Sequence, residues 1–134
     1  MVKQNLVCTA TKANKIMIVD DQAGIRLLLK EVFKKEGYPI LTAGSGDQAL
    51  KFLKEEDPKL VLLDMKIPKM SGMEILHHMK QMKPNLKVMI MTAYGENTLV
   101  KEALRDGAIA HFSKPFDLQE LIAAVEKECP QCAK

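Results

Sequence analysis

Acids, a hydroxyl and an amine recur where the apolar runs of this chain end. Asp20 and Asp21 close Lys15-Ile-Met-Ile-Val, and Asp64 closes Lys59-Leu-Val-Leu-Leu. Thr92 closes Val88-Met-Ile-Met, and Lys114 closes Ala110-His-Phe-Ser. A carboxylate at the C-terminal end of a buried parallel strand stands where open α/β sheets bind their ligands. Clustered carboxylates repel one another and suit a divalent cation with oxygen ligands. A hydroxyl and an ammonium beside them would help to hold a negatively charged group through reaction. Each residue also has a plainer reading. Asp20 or Asp21 could cap the following helix, Asp64 a turn; Thr92 could be an ordinary strand residue and Lys114 a structural ion-pair partner. Their common position, one run end after another, favours a site.

The elements that must position them read as five repeats of strand then helix. The expected strands are about 15–20, 39–43, 60–64, 87–91 and 110–113. The run before Asp64, bounded by Asp57-Pro58 and Pro68, is the signature of a strand buried on both faces. The expected helices are about 22–36, 46–56, 72–82, 96–106 and 117–128. In the first, Ile25, Leu28, Leu29, Val32 and Phe33 have the spacing of one helical face. Gly37 and Gly107 are expected to end helices, and Asp117 to begin one. Such alternation implies an α/β fold with a parallel sheet covered on both sides. Right-handed crossovers then bring every strand end to one edge.

Composition bounds the rest. A chain of 134 residues with 47% hydrophobic and 28% charged residues fits one domain of ordinary size. We expect a lead-in over residues 1–14, one domain over 15–129 and a tail over 130–134. A net charge of +3 without a dense basic run argues against nucleic acid. No apolar stretch is long enough for a membrane span, and residues 1–14 lack the apolar core of a signal peptide. The cysteines are Cys8, Cys129 and Cys132. Cys129-Pro-Gln-Cys132 closes the last helix instead of opening one after a strand, so a solvated tail is a better reading than a redox pair. His77 and His78 read as surface, and Met65, Met89 and Met91 as core filler.

The residues at the strand ends carry a resemblance. An acidic pair after strand 1, an acceptor Asp after strand 3, Ser/Thr after strand 4 and Lys-Pro after strand 5 form the pattern of two-component response regulator receiver domains. Here these are Asp20-Asp21, Asp64, Thr92 and Lys114-Pro115. The chain resembles that family over about residues 14–129. It is closer still to the single-domain phosphorelay type of spore-forming bacilli, through Ile18-Val-Asp-Asp-Gln-Ala-Gly-Ile-Arg26, residues 60–68, 91–95 and 111–117. The resemblance implies a flavodoxin-like (βα)5 doubly wound sheet and a phosphoryl group accepted on Asp64.

The chemistry suits those residues. A transferring phosphoryl group is highly negative, so carboxylates need a cation beside it. Mg²⁺ takes one or two carboxylates and keeps several waters. Mn²⁺ or Ca²⁺ can substitute. We expect Asp21 and Asp64 as direct ligands and Asp20 through a water. The resemblance adds the backbone carbonyl of Lys66. Asp64 is then the nucleophile, with Lys114 and Thr92 on the phosphoryl oxygens. In most of the family an aromatic ring stands where this chain has His111, and it swings inward as the hydroxyl moves. A smaller, polar, titratable His puts that ring switch in doubt, though Thr92 and His111 remain the switch candidates.

No output module is expected, so the protein must hand on its phosphoryl group or dock through its own surface. Gln22, Ile25, Leu28, Lys66, Pro115 and Phe116 are the candidate partner-binding residues. Ile25 and Leu28 could equally be core. The resemblance favours docking of a histidine phosphotransferase. It also implies a sensor histidine kinase, an aspartyl-phosphate phosphatase as a further partner, and a cytoplasmic location. The protein is then a phosphoacceptor that assists its own transfer, not an enzyme in the usual sense. A single-domain signalling adaptor whose phosphorylated face binds a target is the alternative. A flavin-binding flavodoxin is a distant third, because it needs a phosphate-cradling loop after strand 1, where Asp20-Asp21-Gln22 would repel phosphate.

Overall fold

Aliphatic runs with no polar interruption can hide both faces only in a sheet covered on both sides. The computed structural model, which describes residues 15–93 and 95–130, has that arrangement. The lead-in over 1–14 with Cys8, Tyr94, and residues 131–134 with Cys132 lie outside the described residues. The strands are β1 (Ile16–Val19), β2 (Ile40–Ala43), β3 (Leu60–Asp64), β4 (Lys87–Ala93) and β5 (Ala110–Lys114). The helices between and after them are α1 (Ala23–Lys35), α2 (Gly46–Glu56), α3 (Gly72–Met82), α4 (Asn97–Arg105) and α5 (Leu118–Glu128). All pairings are parallel and the strand order is β2-β1-β3-β4-β5, so the fold is the expected doubly wound α/β sheet. Among the described residues no helix is long and apolar enough to cross a membrane.

Alternation along each strand divides the core in two. Met17, Val19, Val61, Leu63, Val88 and Ile90 pack under α2, α3 and α4. Ile16, Ile18, Leu60, Leu62, Met89 and Met91 face α1 and α5, where they meet Leu29, Phe33, Leu121 and Val125. Leu28, which periodicity places on the apolar face of α1, lies outside this core and is 43% exposed.

Local chemistry sets most element ends. Ser45, Ser71 and Asp117 each accept a backbone N–H of the helix they open. Gly37 and Gly107 follow α1 and α4 with φ of 96° and 110°, which glycine adopts without strain. Asp57 ends α2 at φ 50° and is held by Lys83 at 2.7 Å. That bond, with the charge of Lys59, keeps its carboxyl below the usual range. The strands β4 and β5 run further than expected, so Thr92 and Lys114 are still paired in the sheet, at Thr92↔Ser113 and Ala93↔Lys114.

Gly72 seats α3 against the chain just after β3. Its N–H bonds the Met65 carbonyl at 3.2 Å, and a Cβ there would stand 2.4 Å from the Met65 Cα. Backbone cannot move aside as a flexible side chain can. Gly72→Ala is expected to destabilise the protein by about 1–3 kcal/mol, the range for overpacking. A shift of the urea midpoint to lower concentration measures it; an unchanged midpoint would mean that the helix start relaxes freely.

Candidate functional site

The C-terminal ends of β1, β3, β4 and β5 meet at one edge. Asp21, Gln22, Asp64, Lys66, Ala93 and Lys114 line an opening there of about 290 Å³. Asp64 ends the central strand and is 4% exposed. Its Oδ1 accepts the Lys66 N–H at 3.2 Å, and its Oδ2 lies 3.4 Å from the Lys114 Nζ. Asp20 is fully buried: Oδ1 accepts the Gln22 N–H at 2.9 Å and Oδ2 accepts from Lys114 at 2.8 Å. Asp21, next in sequence, is exposed. One oxygen from each of Asp20, Asp21 and Asp64 falls within 4.8 Å of the others.

The electrostatics follow from burial and charge. Burial pushes the Asp64 carboxyl above its ordinary range, and the Asp20 charge adds to the rise; the Lys66 N–H and Lys114 offset part of it. Burial alone would lower the Lys114 ammonium, but its hydrogen bond to Asp20 and the Asp64 charge more than offset this and raise it. Lys114 is therefore a firmly held cation at the centre of an acidic cluster.

The expected residues do not all gather here. Thr92 is buried, and Ala93 lines the opening in its place. His111 is exposed on the edge strand three residues before Lys114 and does not line the opening. Gln22 does reach the site, where its Oε1 accepts from Lys114 at 3.2 Å. Ile25 and Phe116 are half-buried against the core, while Pro115 and Leu28 are exposed. The Lys114–Pro115 peptide is cis.

Three neighbours escaped the sequence reading. Arg26 Nη1 donates to the Asp20 carbonyl at 2.8 Å and so braces the acidic turn. Leu27, at 62% exposure, is the most exposed large apolar residue described on α1. Its neighbour Leu28 already hinted at an uncovered face. Glu96 pairs with the Lys66 ammonium at 3.1 Å. Nothing in a one-dimensional pattern joins positions 66 and 96.

A parallel five-stranded sheet with acids, a hydroxyl and a lysine at one edge defines a class, and comparison with known proteins agrees with it. The model of the response regulator receiver domain matches residues 16–126. The chain belongs to this family. It is 56% identical over 116 residues to the sporulation initiation phosphotransferase F of Bacillus subtilis, covering 87% of this chain and 94% of that one. The chemotaxis protein CheY of Bacillus subtilis is 33% identical over 86% of this chain and 97% of its own. The crystal structure of the NtrX receiver domain from Brucella abortus superposes with a TM-score of 0.82 at 31% identity, covering 85% of this chain and 97% of that one.

Proposed function

We propose that this chain is a phosphorelay response regulator: Asp64 takes a phosphoryl group from a sensor histidine kinase and yields it to a histidine phosphotransferase. The carrying observation is the Asp64 carboxylate at the end of the central strand, between the acidic pair and the Lys114 ammonium. The likeness to a sporulation phosphotransferase supports a relay that controls sporulation. Such a relay is cytoplasmic, and an aspartyl-phosphate phosphatase is a further partner.

An Asp64 carboxylate oxygen bonds phosphorus as the donor nitrogen of the kinase histidine leaves, which gives an acyl phosphate. Lys114 keeps its hold on Asp20 while turning its charge to a phosphoryl oxygen, and the Thr92 hydroxyl donates to another. The donor set fits Mg²⁺, since it is all oxygen and one member, Asp21, is open to solvent. Asp21 and Asp64 would hold the ion directly, with the Lys66 carbonyl. Both oxygens of Asp20 already accept hydrogen bonds, which suits it to a water-mediated role. Mn²⁺ or Ca²⁺ can take the same ligands. When bound, the ion supplies positive charge that offsets the phosphoryl oxygens and the crowded carboxylates.

A phosphohistidine must come within bonding range of Asp64, so its carrier must pack on the rim made by α1 and the loop after β5. Gln22, Ile25, Leu28, Lys66, Pro115 and Phe116 form that rim in this reading, and Leu27 extends it. Truncation of an apolar residue at an interface centre costs about 1–3 kcal/mol of binding. Ile25→Ala, Leu28→Ala and Phe116→Ala are each expected to slow transfer from a phosphorylated kinase about tenfold, yet to leave labelling by acetyl phosphate near the parent rate. Equal loss with both donors would assign these residues to support of the site instead of docking.

A further inference from the structure

Among the described residues, two of the five helices open without a side-chain cap, α1 at Gln22 and α4 at Glu96. The other three open on Ser45, Ser71 and Asp117, whose side chains accept backbone N–H groups in the usual way. The two uncapped starts have something in common. Their side chains turn to the lysines of the acceptor opening, Gln22 to Lys114 and Glu96 to Lys66.

Glu96 is the sharper case. Glutamate is a poor residue to begin a helix, where short Ser, Thr, Asp or Asn side chains reach the free N–H groups. Its Oε1 reaches back to the Ala93 N–H at 3.1 Å, directly after Thr92. Its Oε2 takes the Lys66 ammonium at 3.1 Å, two residues beyond Asp64. One carboxylate thus ties together two residues, Ala93 and Lys66, that line the opening from different strand ends. The Lys66 side chain is 66% exposed, so without this partner little would hold it in place.

We infer that Glu96 is a positioning residue: it holds Lys66 and the backbone after Thr92 as one wall of the acceptor opening and so sets the lifetime of the phosphoryl group. This rests on the acceptor reading of Asp64. Loss of the group is hydrolysis: a water oxygen bonds phosphorus, the bond from phosphorus to the Asp64 oxygen breaks, and the products are the carboxylate and dihydrogen phosphate. A wall tied at two points restricts the approach of that water. Freed, Lys66 and Ala93 move apart and admit it.

The test follows label on the full chain, loaded with acetyl phosphate and Mg²⁺ and then freed of donor. Glu96→Gln, nearly the same shape, is expected to shorten the lifetime about two- to fivefold, the range that a partly exposed ion pair supports. Lys66→Ala is expected to shorten it similarly. In the Lys66→Ala background Glu96→Gln should then add little, because the shared contact is already gone. Lys66→Arg keeps a partner for the carboxylate and should keep its dependence on Glu96. The melting temperature of Glu96→Gln should stay with the parent, which separates a local tie from loss of fold. A parent lifetime in Glu96→Gln, or full additivity with Lys66→Ala, would overturn the inference while the parent's labelling leaves the acceptor reading intact. No label on the parent would overturn both.

Discussion

Asp64→Asn is expected to accept no phosphoryl group, from a phosphorylated kinase or from acetyl phosphate, with labelling down at least a hundredfold. An amide oxygen is a weak nucleophile and an acyl phosphate cannot form on it. Asp20 is no substitute, since it is fully buried and both its oxygens are engaged. Asp21 is exposed but has no lysine within ion-pair distance among the described residues, whereas Asp64 has Lys114 at 3.4 Å. The bound label on the parent should be stable in acid and released by hydroxylamine, as an acyl phosphate is. Full labelling of Asp64→Asn would move the acceptor elsewhere.

The same substitution should stabilise the metal-free protein at neutral pH. The Asp64 carboxyl is raised above its ordinary value of 3.8, chiefly by burial. The folded state therefore binds this proton more tightly than the unfolded chain does. Stability from the protonated form is present below 3.8 and is lost as pH rises through the raised value. At neutral pH the ionised acid is a net cost, and Asn removes it. Each kcal/mol of relief appears as about 3–5 °C in Tm for a domain of this size. The parent should lose more stability than Asp64→Asn across that pH window; parallel curves would show that the burial cost is met elsewhere.

Mg²⁺ is expected to raise the Tm of the parent, and Asp21→Ala to remove most of that rise. A ligand bound only by the folded state stabilises by about 2.7 kcal/mol at a hundred times its Kd. Asp21 is the cluster's exposed carboxylate and, with Asp64, an expected direct ligand, so its loss should weaken Mg²⁺ at least tenfold by calorimetry. The metal-free Asp21→Ala protein should also melt no lower than the parent, since one of three crowded charges is gone. Parent-like affinity in Asp21→Ala would place the ion on other ligands.

Much of this was legible before the fold, for physical reasons. Buried strands need unbroken apolar runs, so Leu60 to Leu63 announce β3, and an acid directly after such a run marks the sheet edge. Helix ends are also local: Asp117 caps within three residues, and Gly37 and Gly107 adopt a conformation that other residues avoid. Parallel connectivity then carries Asp20, Asp64, Thr92 and Lys114 to one edge without any further information.

The tertiary structure decided what local pattern cannot hold. Asp20 and Asp21 are chemically identical neighbours; the fold buries the first against Lys114 and leaves the second in solvent. Leu28 shares the spacing of the buried residues of α1, but it lies outside the core and with Leu27 stays exposed. Lys66 and Glu96 meet only because β3 and β4 lie side by side, so the loops after them face each other. Periodicity records which residues share a face of one element. Which element lies opposite, and where its cover stops, depends on packing between distant parts of the chain, and that is set only when the whole sheet has formed.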